Sequence, residues 1–400
     1  MRARVGIVVG VLTFMLVAVP AHAATPLEVS GWLPYWRTAS STRDATAHLS
    51  QLTEINPFGY SVKNDGTLAD TAGLTNEPWV SLIAAAKAQK VRVVPTVMWS
   101  NGAAIHQILS RQSSRIALED AIAKLVKDNN FDGIDIDFEG KRAETKDYFS
   151  TFLKGLYQRM GTKWVMCDIE PRTPVTSRYD GTPPADATVY ANDYAQIGKY
   201  CDRVRIMAYD QGSIDLKLNA QAANTPYVPV ADPQWVYKVV NLVLQSIPAK
   251  KVELGVATYG YEYQVTPLSQ SGYRYDLLWA FDPQYALNLV SQYQTSVTRN
   301  RAGELSFTYL PNVFPSSPPS GTDATTLLNN TPLSATSYSD GSSATGAPAS
   351  TFNIVWWSDA HAIADKIAIA KELGLRGVSI FKLDGGEDQT IWNILPTRGQ

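Results

Sequence analysis

The chain carries two cysteines, Cys167 and Cys201, and four scattered histidines in 400 residues. Two cysteines do not make a disulfide framework, and they stand open to two readings, a single bridge or two buried thiols. No cysteine–histidine cluster has zinc spacing, so no metal is expected. No basic run or stripe is present and the formal net charge is −2, which argues against a nucleic-acid partner. No glycine-rich G-x-G-x-x-G follows the first predicted strand, which removes the signature of dinucleotide binding, and no cofactor is expected.

Long apolar runs are missing except at the start. Arg2 and Arg4 precede an apolar stretch over 5–19, and Ala21-His22-Ala23 has the small-x-small form of a cleavage signal. Residues 1–23 are therefore expected to be a signal peptide and the protein to be secreted, extracellular or cell-wall associated, without membrane contact after cleavage. An uncleaved anchor is the competing reading. Removing 1–23 takes away two positive charges and moves the formal charge to −4. Composition marks no oligomer, so a monomer is expected.

The remainder alternates short apolar runs with helical patterns. Strands are predicted over 29–36, 54–62, 91–98, 133–139, 163–169, 204–209, 251–259 and 377–383. Helices are predicted over 75–89, 114–129, 145–161, 232–246 and 359–373. Asp232-Pro233 and Asp359 read as helix starts, and Gly374 as a helix end. Eight strands interleaved with helices predict an α/β fold, a (β/α)8 barrel, with a doubly wound open sheet as the competitor. Between the last two strands the rhythm breaks. Residues 263–350 are read as a small α+β insertion containing a Ser/Thr/Pro/Gly-rich loop over 311–350. The barrel then comprises 24–262 and 351–400.

The stretch Phe131-Asp132-Gly133-Ile134-Asp135-Ile136-Asp137-Phe138-Glu139 carries the chemistry. Side chains alternate along a strand, so Asp135, Asp137 and Glu139 share one face, and Ile134, Ile136 and Phe138 the other. If the strand sits in a barrel, the acidic face points into the lumen. Three adjacent carboxylates cannot all ionise cheaply there, so at least one keeps a proton. A carboxylic acid protonated near neutral pH suits a general acid, and Glu139 stands at the C-terminal strand end, where barrel enzymes place their sites. An edge strand with a solvated acidic face ignores the barrel rhythm. A calcium loop opening at Asp135 would put Lys146 at its twelfth position, where a glutamate is required.

The pattern Asp132-x-x-Asp135-x-Asp137-x-Glu139, with Gly133 beside the first acid, resembles the signature of the family 18 glycoside hydrolases, the chitinase family. Met207-Ala208-Tyr209-Asp210 resembles the family's sixth-strand motif, and Gly255 to Tyr261 its seventh-strand segment. The segments Gly31-Trp32-Leu33-Pro34-Tyr35-Trp36, Ile55-Asn56-Pro57-Phe58, Val355-Trp356-Trp357-Ser358-Asp359 and Leu375-Arg376-Gly377-Val378-Ser379 resemble its bacterial spore-cortex and peptidoglycan-hydrolysing members.

The resemblance implies a secreted retaining hydrolase that cleaves β-1,4 bonds next to N-acetylglucosamine in chitin, peptidoglycan or N-glycan cores. The substrate's own acetamido oxygen acts as nucleophile. It implies that Glu139 protonates the leaving oxygen, Asp137 holds the acetamido N–H, Asp135 shares a proton with Asp137, and Tyr209 binds the acetamido carbonyl. Asp210 and Met207 join the substrate site, while Asp132 and Gly133 are structural. Tyr35, Trp99 and Tyr259 are candidate sugar platforms. Phe381 stands where the family commonly has a tryptophan, and the third strand lacks the chitinases' Ser-x-Gly-Gly. The alternative function is a non-catalytic secreted carbohydrate-binding protein on the same barrel.

Overall fold

The computed structural model describes residues 26–179, 181–213, 225–268, 272–311 and 351–398. The expected signal peptide, and all but the first residue of the loop expected over 311–350, lie outside them.

Eight parallel strands close on themselves: β1 Glu28–Leu33, β2 Glu54–Val62, β3 Thr96–Trp99, β4 Gly133–Phe138, β5 Trp164–Ile169, β6 Arg203–Ile206, β7 Val252–Ala257 and β8 Gly377–Phe381. Each pairs with its neighbours in chain order, and β1 pairs with both β8 and β2. The fold is the (β/α)8 barrel, and the open-sheet competitor is excluded by that closure. A two-residue strand, Arg92–Val93, leads into β3, interrupted at Pro95, which has no N–H to give a ladder.

Register fixes which side chains meet. Thr96 lies beside Asp135 and Met98 beside Asp137, while Val97 and Trp99 lie beside Ile136 and Phe138. The second set faces the helices, where Phe138 packs on Phe149 and Phe152 of the helix Lys146–Met160. Two glycines permit close approach. A Cβ on Gly133 would stand 2.5 Å from the Trp164 carbonyl oxygen, and one on Gly255 would stand 2.5 Å from that of Ile206 and 3.0 Å from the Tyr209 ring.

The predicted helices form with caps as read. Asp232 accepts from the Gln234 N–H at 2.7 Å ahead of Pro233–Leu244, and Asp359 from Ala362 at 3.0 Å ahead of Ala360–Glu372. The helix predicted from residue 75 begins at Trp79, after Pro78. Among the described residues four further helices, Thr38–Ala47, Gly102–Leu109, Val175–Arg178 and Tyr194–Tyr200, escape the sequence reading because they are short or lack a clear apolar period.

The insertion is larger than the sequence suggests. A five-stranded antiparallel sheet runs in the order Gly272–Phe281, Gly260–Leu268, Phe352–Trp357, Leu305–Tyr309, Thr298–Arg299. The expected bounds of 263 and 350 therefore move outward to include residues 260–357, because Gly260–Val265 pairs with 352–357 and neither strand belongs to the barrel. Glu262 ties this sheet together, accepting from Tyr285 and Asn353 at 2.6 Å each and from Tyr309. Asp282 bridges to the barrel through Lys382 at 2.9 Å and Arg37 at 3.0 Å.

Candidate active site

The barrel interior is charged rather than oily. Arg205 of β6 is sealed from solvent, with Nη1 2.7 Å from Asp135, Nε 3.0 Å from Glu253 and Nη2 on Glu54. Burial works against its charge, but Asp135, Glu54 and Glu253 hold its pKa well above the ordinary value. Register explains the convergence, since Arg205 sits beside Asp168 on β5 and Glu253 on β7. Asp135 also accepts from Trp32 Nε1 and from the Thr96 hydroxyl, each at 2.9 Å.

Asp135 is thus held by Arg205, Trp32 and Thr96, and its charge acts on both neighbouring acids, Asp168 and Asp137. Burial, then the charges of Asp135 and Asp137, push the Asp168 carboxyl well above its ordinary value, and Arg205 opposes. Arg205 and Trp32 draw Asp135 towards the barrel floor and leave Asp137 to the cleft.

Asp137 is buried and its Oδ1 has no hydrogen-bond partner among the described residues. Burial, reinforced by Asp135 and Glu170, pushes its pKa up to about 7, and Lys141 opposes. Glu139 follows at the rim, half-buried, with its backbone N–H held by the Trp99 carbonyl at 2.8 Å. Burial, then Asp137 and Glu170, raise its carboxyl well above the usual carboxylate range. That shift is in the direction a general acid requires.

Across the lumen, Tyr209 is buried, and its phenol is kept firmly protonated by burial and by the nearby charges of Asp210, Asp168, Glu139 and Asp137. It is therefore an O–H donor facing the acid pair. Asp210 adopts a left-handed backbone conformation, φ 62°, and accepts from Tyr259 at 2.5 Å and Tyr261 at 2.7 Å. Burial raises its pKa while the two tyrosines lower it. Met207, two residues before Tyr209 and just past the end of β6, is buried in the aromatic cluster with Tyr209 and Tyr259. Phe381 is half-buried between them, its ring parallel to Tyr209 at 5.7 Å and edge-on to Trp32 at 5.8 Å.

Two sugar-platform expectations fail. Trp99 is buried on the outer face of β3, edge-on to Phe138 at 5.4 Å. Alternation sends it away from the cleft and sends Met98 inward. Tyr259 is 1% exposed and spends its hydroxyl on Asp210, so it positions that acid. Tyr35 lies half-buried beyond the end of β1, edge-on to Trp36. Asp132 accepts from the Val93 N–H at 2.8 Å and pins two strands together.

The sequence reading passed over Glu170, Lys141, Asp168 and Arg205. Burial alone would raise Glu170, but Lys141 and bonds from Asn192 at 2.6 Å and the Gly140 N–H at 3.1 Å hold it below the usual carboxylate value. Asp168-Ile169-Glu170 repeats on β5 the acidic alternation of β4, and that was the available signal. Cys167, on the opposite face, is bonded to Cys201. Among the described residues no group of three His, Cys, Asp or Glu is disposed to hold a metal ion, and no helix is long and apolar enough to cross a membrane.

Comparison with known proteins agrees with this geometry. A glycosylase of Bacillus subtilis strain 168, YvbX, is 21% identical over 367 residues, spanning 90% of each chain. The spore cortex-lytic enzyme SleL of Bacillus megaterium QM B1551 superposes with a TM-score of 0.66 at 21% identity, over 94% of this chain and 75% of its own. A class V chitinase of Pseudomonas fluorescens Pf-5 gives 0.67 at 22% identity, over 92% and 98%. The profile of glycosyl hydrolases family 18 matches residues 31–386, the span that contains every residue of the site, and the chain is a member of that family.

Proposed function

We propose that the protein is a retaining glycosidase that cleaves β-1,4 bonds next to N-acetylglucosamine, using the substrate's acetamido oxygen as the nucleophile. One observation carries the reading: Glu139, whose carboxyl burial and Asp137 push upward, stands two residues along the chain from a buried Asp137 whose Oδ1 has no partner among the described residues, with the charges of both acting on the Tyr209 phenol. Glu139 gives its proton to the glycosidic oxygen as the acetamido oxygen closes on the anomeric carbon. Asp137 accepts the acetamido N–H and offsets the positive charge of the oxazolinium ion. Tyr209 donates to the acetamido carbonyl and aims it. Glu139, now a carboxylate, takes a proton from the water that opens the intermediate. Holding an internal nucleophile in line lowers the barrier by roughly 7 kcal/mol or more, which is why positioning residues outnumber acids here.

The enzyme acts outside the cytoplasm in this reading. The Cys167–Cys201 bridge and the leader-like composition of residues 1–23 support that.

The test incubates the protein with N-acetylated chitooligosaccharides and with peptidoglycan, reading products by mass spectrometry and the first-formed anomer by NMR. Release of the β-anomer by wild type, and no products from Glu139→Gln, supports the reading. An initial α-anomer overturns the retaining mechanism. Binding without cleavage moves the non-catalytic carbohydrate-binding reading to the front.

A further inference from the structure

Beside the acid cluster, at the C-terminal end of β5, lies a pocket of about 390 Å³ lined by Lys146, Arg172, Tyr190, Asn192, Asp193 and Tyr194 among others. It adjoins the catalytic carboxyls through one residue, since Asn192 donates to Glu170 and the charge of Glu170 acts on Glu139.

Arg172 is built into this pocket in a fixed pose. Its guanidinium lies 4.0 Å from the Tyr190 ring centre and 3.7 Å from that of Tyr194. Tyr190 is itself held by a bond from Arg178 to its hydroxyl at 2.7 Å. Among the described residues Arg172 makes one hydrogen bond, from Nη1 to the Asn192 carbonyl at 3.2 Å. That leaves the Nε–Nη2 edge, and no carboxylate of the described residues pairs with it; Nε is buried without a partner. Such an edge offers two parallel N–H donors, the geometry that matches a carboxylate.

Around it stand further unspent polar atoms. Among the described residues the hydroxyl of Tyr194, a residue 3% exposed, has no partner, nor has Asn192 Oδ1. Lys146 is exposed at the pocket and enters no ion pair among the described residues. The pocket's own carboxylate, Asp193, accepts from the Gln196 N–H at 3.1 Å. A neutral glycan gives the cations nothing, whereas an acid-bearing one satisfies them.

We propose that this pocket is an accessory subsite for a carboxylate carried on the glycan, as on an N-acetylhexosamine bearing a carboxyalkyl ether, and that it makes the enzyme prefer acidic cell-wall strands to neutral chitin. The proposal rests on the hydrolase reading for its setting. Arg172 grips the carboxylate edge-on, Lys146 adds charge from the rim, and Tyr194 and Asn192 take a hydroxyl and an amide or hydroxyl hydrogen of the same sugar.

The test uses one soluble oligosaccharide alternating N-acetylglucosamine with its carboxyalkyl ether, and the same compound with each carboxyl reduced to an alcohol. Wild type is expected to show kcat/KM at least tenfold higher on the acid. Arg172→Met should lower the acid value about tenfold and leave the alcohol value unchanged, with Arg172→Lys between. The exposed Lys146→Met, which leaves the fold untouched, should reduce the acid preference by a smaller factor. Equal turnover of the two compounds by wild type, or equal losses on both in the variants, overturns the proposal. Calorimetric titration of Glu139→Gln, with and without Arg172→Met, reads the same preference without hydrolysis. Tighter binding of the acid that is lost with Arg172 supports the subsite, and equal binding overturns it, whether or not wild type cleaves either compound.

Discussion

Arg205 Nη1 lies 2.7 Å from Asp135 Oδ1 in an interior where neither side chain is exposed. The Arg205 guanidinium there faces Asp135, Glu54 and Glu253, and burial with the charge of Asp135 raises the neighbouring Asp168 carboxyl. The pair anchors the lower end of the acidic face and so determines which carboxyls remain for the substrate.

Replacing Arg205 with methionine should therefore unfold or severely weaken the protein. It strands buried carboxylates without a counter-charge, a loss of about 3–5 kcal/mol. Urea unfolding at pH 7 checks it, and a variant as stable as wild type would refute the account of the interior.

Glu139→Gln removes the proton donor while keeping the shape of the side chain. Turnover should fall by about 10³-fold with oligosaccharide binding nearly unchanged. Steady-state kinetics paired with calorimetry separates the two quantities, and a fall in affinity that matched the fall in rate would contradict a role in proton transfer.

The charge of Glu170 raises the Glu139 carboxyl, and that of Lys141 lowers it. Activity needs Glu139 protonated, so the alkaline limb of kcat/KM follows its pKa. Glu170→Gln should move that limb to lower pH by roughly half to one unit, and Lys141→Met should move it up. Movement in the opposite sense in either variant would show that another group sets the limb.

Asp137 titrates near 7 in the folded protein against 3.8 ordinarily. A raised folded pKa means that its stabilising contribution is whole below about pH 4 and is lost as the pH climbs to 7. Between pH 4 and pH 8 wild type should lose on the order of 2–4 kcal/mol through this group, and Asp137→Asn should not. Unfolding free energies of both proteins at the two pH values decide it.

Cys167 and Cys201 close a loop with a sequence separation of 34. Serine at both positions should cost about 4 kcal/mol by loop entropy. The chemical midpoint of unfolding, compared with that of wild type under reducing and oxidising conditions, measures it; wild type should lose the advantage when reduced.

Much of this was written in local order. The period-2 acids of 131–139 determined one wet and one dry face, because successive side chains on a strand point opposite ways whatever surrounds them. Helix starts at Asp232 and Asp359 followed from cap chemistry within three residues. The rhythm of strand and helix determined a parallel α/β fold, while the pairing of β1 with β8 decided that it closes into a barrel. What the tertiary structure alone decided depends on register between distant strands: that Arg205 and Asp168 meet Asp135, that Trp99 shares the outer face with Phe138, that Asn192 and Glu170 join the acids, and that Cys167 reaches Cys201. A one-residue slip would reverse every one of those faces, and the hydrogen bonds that set register join residues tens of positions apart, beyond the reach of any local pattern.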